Sequence, residues 1–128
     1  MKNELYSTLN DIENICQCTN WNGYDSDSIP ISIIATSKKV IDLLVDNDDI
    51  EIFPTARPSI QFEYEDNIKY VEMEVELNNR FKIWVNYTVS EEKYTYIYEN
   101  LKEAVNKFNA IVEETEPVDD TFAGVWSE

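Results

Sequence analysis

The 128-residue sequence predicts an α+β domain, an antiparallel β-meander of four or five strands with about three helices packed on one face. Three observations lead there. Apolar and polar residues alternate between positions 59 and 87, the period of a strand with one side buried. Apolar residues recur at spacings of three and four in three other stretches, the period of an amphipathic helix. Apolar residues make up 43% of the chain, enough for one core at this length without metals or disulfides. Residues 1–114 read as a single domain and 115–128 as an acidic C-terminal tail.

The first helix is expected over about 3–16, with Leu5, Leu9, Ile12 and Cys16 as its stripe. A polar loop from Gln17 to Pro30 follows. Ser32 then suits an N-cap for a second helix reaching about Asp46, buried through Ile33, Ile34, Ser37, Ile41, Leu44 and Val45. Ile50 to Phe53 reads as a short strand stopped by Pro54. From Ser59, Ile60, Phe62 and Tyr64 lie on one side and Gln61, Glu63 and Glu65 on the other.

A turn at Asp66-Asn67 would pair 65 with 68 and 62 with 71, keeping Val71, Met73 and Val75 on the apolar side. Phe81, Ile83, Val85 and Tyr87 continue that side only if the next loop has three residues. Asn78-Asn79-Arg80 is therefore expected, with 77 opposite 81, because asparagine tolerates the left-handed backbone such loops need. Residues 93–98 fit a strand by content and a helix by spacing. The capping sequence Asn100-Leu101-Lys102-Glu103 favours a strand ending there and a helix from Asn100 to about Glu114. The tail carries Phe122 and Trp126 among acidic residues, and reads either as a frayed end or as a short linear motif.

Charge narrows the function classes. Twenty-six carboxylates face ten basic residues, a formal net charge of −16. That balance opposes direct binding to nucleic acid or an anionic membrane and favours a basic partner, above all a nucleic-acid-binding protein. Gly23 and Gly124 are the only glycines, so no glycine-rich phosphate loop exists. The polar start Met1-Lys2-Asn3-Glu4 is no signal peptide, and no apolar run approaches the roughly 20 residues of a membrane span. Cys16 and Cys18, two residues apart and without any histidine in the chain, read as free thiols of a reducing cytoplasm.

Catalytic residues are scarce. With no histidine and only Arg57 and Arg80 as arginines, no enzyme, cofactor or metal site is expected. Asp25-Ser26-Asp27 and Asp46-Asn47-Asp48-Asp49 lack the order of a calcium loop and suit turns.

The expected contact surface is the polar side of the meander. It carries Glu63, Glu65, Tyr70, Glu72, Glu74, Glu76 and Trp84, together with Lys82 and Asn86. Glu72, Glu74 and Glu76 recur every second residue, about 7 Å apart, and the expected register sets Trp84 beside Glu74 and Lys82 beside Glu76. An acidic row around an indole suits Arg and Lys side chains, through charge-assisted hydrogen bonds and cation–π contact.

One resemblance adds to this. Trp21-Asn22-Gly23-Tyr24, Pro30-Ile31-Ser32 before a helix, Pro54, and Ser59-Ile60-Gln61-Phe62-Glu63-Tyr64 together resemble a family of small bacterial proteins. Its members read W-D-G-Y-G-A, then P-I-S, then P-x-x-D-G-G-I-x-L-E-W, and some lie near toxin or defence genes. The likeness spans roughly residues 20–85. Asp25-Ser26 and Arg57-Pro58-Ser59 stand where the family has glycines, so its flexible turn is not reproduced here.

The expectation is a non-enzymatic stoichiometric inhibitor of nucleic-acid-mimic, antitoxin or phage anti-defence type, such as an anti-CRISPR, covering a basic surface. The alternative is a structural or assembly subunit, for example a homodimer joined through the Trp84 face.

Overall fold

The structure is a computed structural model that describes residues 2–15 and 29–115. Its elements run α1 (Lys2–Ile15), α2 (Ile31–Leu43), β1 (Glu51–Thr55), β2 (Ser59–Glu65), β3 (Lys69–Glu76), β4 (Arg80–Tyr87), β5 (Lys93–Tyr98) and α3 (Leu101–Val112). The five strands form one antiparallel meander in sequence order. The fold class is as the sequence predicts.

Burial explains the layers. Phe62, Val71, Met73, Val75, Phe81, Ile83 and Val85 are fully buried on one side of the sheet, as are Leu9, Ile41 and Phe108 of the three helices. These residues belong to one cluster, so the helices lie on the apolar side, and among the described residues no helix covers the other side. Asn109 of α3 ties α3 to the end of α2, donating to Leu43 O and accepting from Val45 N–H, each at 2.9 Å.

Several local expectations are corrected. Ser32 is not the N-cap of α2; Pro30 is, with no side-chain cap bond. The extended Pro30 carbonyl already accepts from Ile33 and Ile34, so the helix is under way before Ser32 could cap it. The helix also stops at Leu43, short of Asp46, because Leu44 turns to extended backbone. Pro54 does not stop β1, which runs through it to Thr55. As an edge strand β1 needs a ladder on one side only, and Pro54, opposite Ile60, turns its nitrogen to the free side, where a missing N–H is tolerated.

Both hairpin registers shift by two residues. Asp66 pairs with Lys69, and its carboxylate accepts from the Ile68 and Lys69 N–H groups at 2.9 and 3.0 Å. The side chain thus holds the turn one residue later, and Phe62 faces Met73 instead of Val71. The next loop has the expected three residues, but they are Leu77 to Asn79, with Glu76 opposite Arg80. Asn78 and Asn79 take the left-handed backbone, φ 64° and 56°. A shift of two preserves the side each residue faces, so the apolar set stays together and only the partners change.

Residues 93–98 form a strand, and Asn100 caps α3 by accepting from Glu103 N–H at 3.0 Å. α3 ends at Val112, two residues before the expected end. Cys16, Cys18, Trp21, Tyr24, Asp25, Asp27, Phe122 and Trp126 lie outside the described residues.

Candidate cation-binding face

All seven expected site residues fall on the open side of the sheet, and the shifted register regroups them. Glu63 lies directly opposite Glu72, Glu72 opposite Trp84, Glu74 opposite Lys82, and Glu65 opposite Tyr70. Trp84 therefore neighbours Glu72 and not Glu74. Lys82 neighbours Glu74 and not Glu76.

The row divides into two parts. Glu74 is withdrawn from solvent, 8% exposed. Its carboxylate accepts from Arg57 Nε at 2.9 Å and from the Ser59 hydroxyl. Burial alone would raise its pKa, but the bonds from Arg57 and Ser59, with the charges of Arg57 and Lys82, hold it below the usual 4.5. Glu76 pairs with Arg80 at 3.3 Å. This end of the row is neutralised by the chain's own cations.

The other end is not. Among the described residues Glu63 and Glu72 make no ion pair, although they stand opposite each other on adjacent strands. Like charges so placed repel. The Gln61 amide bridges them, donating to Glu63 and, at 3.2 Å, to Glu72. Tyr70 also donates its hydroxyl to Glu72, at 2.7 Å. Burial, the Glu72 bond and the charges of Glu72 and Glu63 push the Tyr70 phenol far above its usual 10.0. Its ring meets Trp84 edge-on with centroids 5.8 Å apart, so the indole is half-buried and fixed beside the carboxylates.

A hollow of about 350 Å³ opens beside this pair, lined by Asp49, Glu51, Glu63, Tyr64, Glu65 and Tyr70. Four of these six carry carboxylates and none is basic. A guanidinium or ammonium entering it would meet acceptors without displacing a resident cation. A larger hollow of about 560 Å³ lies at the other face, between the β2–β3 turn, the β4–β5 loop and the end of α3. There the Tyr87 hydroxyl donates to Glu114 at 2.6 Å. Among the described residues no group of three or more Cys, Asp or Glu is placed to hold a metal ion.

Sequence reasoning missed Glu51, Asp49 and Arg57 as parts of this face, and it placed Gln61 on the face without its bridging bonds. Parity along β1 would have found Glu51, which pairs with Glu63. Arg57 lies in a loop and carries no periodic signal. The buried Lys69 was also missed; it is 0% exposed, on the helix side of β3. It donates to Asp66 at 2.8 Å and to the Glu114 carbonyl at 2.9 Å, tying the β2–β3 turn to the end of α3.

No protein-family model, curated protein or solved structure matches the chain. Among the described residues no helix is long and apolar enough to cross a membrane.

Proposed function

We propose that the chain is a non-enzymatic binding protein, a stoichiometric inhibitor of nucleic-acid-mimic type, that covers a basic surface of a nucleic-acid-binding protein. The observation that carries this reading is the unneutralised Glu63–Glu72 pair beside a hollow with four carboxylates. In a chain of net charge −16 any carboxylate contributes to long-range attraction. Here, however, two are held against each other with only neutral donors between them, an arrangement that a cationic partner relieves. Glu51, Glu65, Tyr70 and Trp84 complete the contact, and Glu74 and Glu76 serve mainly the fold and its rim. An antitoxin or phage anti-defence role fits the same chemistry, and the link is one of chemistry alone.

The test is titration of an arginine-rich peptide, followed by anisotropy at several salt concentrations. Affinity should fall steeply with salt, and Glu63→Lys/Glu72→Lys should weaken it far more than the same charge change at Asp11→Lys/Glu113→Lys on the helix side. Equal losses from the two double variants would mean diffuse attraction and would sink the assignment. Capture from host lysate at low and high salt would then identify the natural partner.

A further inference from the structure

The two edges of the sheet are built differently. β1 includes Pro54, which has no N–H to offer, and α1 packs against it. β5, Lys93-Tyr94-Thr95-Tyr96-Ile97-Tyr98, has no proline or glycine and is made largely of aromatic and β-branched residues. In a chain with 26 acidic residues it carries none, and its one lysine stands at its first position.

The ladder phase shows which groups β5 leaves open. Tyr87 N–H bonds Glu92 O at 2.8 Å, and the pattern repeats every two residues, so Tyr94, Tyr96 and Tyr98 bond to β4. Lys93, Thr95 and Ile97 turn their N–H and C=O groups outward. The same three side chains lie on the open face with Trp84 and Lys82. Thr95 and Ile97 are exposed, Ile97 by 53%.

We infer that this edge receives a second copy of the chain, β5 against β5 and antiparallel, centred on Tyr96. Two requirements limit the pairing to registers centred on a residue, and the charges flanking the strand then choose Tyr96 among them. Outward groups must meet outward groups, and the tyrosine side must continue as the tyrosine side. Centring on Tyr96 meets both, setting Thr95 opposite Ile97 of the second copy and Tyr94 opposite its Tyr98. It also sets Lys93 opposite Glu99 of the second copy, twice by symmetry, so the charges flanking the strand are complementary. The two acidic β1–β3 regions then lie at opposite ends of one continuous sheet, far enough apart for salt to screen them. This pairing is independent of the cation-binding face, which it leaves open.

Sedimentation and light scattering of the whole chain at about 0.3 M salt, where the Debye length is roughly 6 Å, test it. A dimer is expected. Thr95→Pro removes an outward N–H without touching the β4 ladder, and should give a monomer with an unchanged far-UV spectrum. Lys93→Glu and Glu99→Lys should each weaken association by roughly tenfold, and together restore it to within about threefold. The charge exchange decides the matter should Thr95→Pro fail to fold. A monomer at every concentration overturns the inference, as does a dimer indifferent to Thr95→Pro or a charge exchange without rescue. Addition of a foreign β-strand peptide to a monomeric chain would overturn it too, because the edge would then serve another partner.

Discussion

Along β3, Glu72 and Glu74 face the same open side two residues apart, yet their surroundings are opposite. Glu74 is buried under Arg57 and Ser59 with Lys82 across the strand, whereas Glu72 faces Glu63 and receives bonds from the neutral Gln61 and Tyr70. The difference shows that a periodic acidic row need not act as a unit. One carboxylate whose charge is matched locally holds a loop to the sheet. Another, unmatched, keeps its field available to an outside cation, at some cost to the fold. Removing the first should therefore damage stability, and removing the second should damage binding.

The largest expected effect is on binding. Glu63→Lys/Glu72→Lys should lower affinity for an arginine-rich peptide by about a hundredfold, roughly 3 kcal/mol, measured by anisotropy at low salt. Next, Glu74→Gln should cost about 1–2 kcal/mol in urea unfolding, because Arg57 and Ser59 lose a charged acceptor, while peptide affinity changes little. If Glu74→Gln instead weakens binding as much as the double reversal, the two carboxylates act alike and the distinction fails.

The pH dependence follows from the same carboxylate. The folded pKa of Glu74 lies below the usual 4.5, so its ionised form stabilises the fold. That contribution is whole above 4.5 and is lost as pH falls through the lowered native value. Asp66 is also lowered: burial opposes this, but Lys69, the Ile68 N–H and Tyr64 outweigh it. The natural chain should therefore lose stability on acidification below about 4.5, and Glu74→Gln should show a shallower loss over the same range by thermal unfolding.

Smaller effects sharpen the contrast. Arg57 has a side chain 65% exposed, so Arg57→Ala should cost only about 0.5–1 kcal/mol in urea unfolding. Glu63→Gln relieves a facing like charge and should raise stability by a few tenths of a kcal/mol. A fall in stability there would indicate that the Gln61 bridge holds the strands more than the repulsion parts them.

Much of this arrangement is legible in the residues. Alternation of Ile60, Phe62 and Tyr64 with Gln61, Glu63 and Glu65 assigns sides, and Asn100 with Glu103 marks the start of α3. Which glutamate is neutralised is not legible. It depends on a register two residues away from the expected one, set by the Asp66 side chain and by Asn78 and Asn79 in left-handed backbone. It also depends on Arg57, brought to Glu74 by a tight β1–β2 connection that no periodic pattern reveals.

By itself the sequence determined the fold class and the side of the sheet on which the residues of β2 to β4 lie, because period-two and three-four patterns are local and survive shifts by an even number of residues. The strand at 93–98, which fits both periods, was settled by its pairing with β4. Tertiary structure alone decided the partners: Glu63 with Glu72, Trp84 beside Glu72, Arg57 over Glu74, and Lys69 buried between Asp66 and the end of α3. Charge pairing depends on angstrom-scale contacts between distant segments, and composition records only how many charges there are.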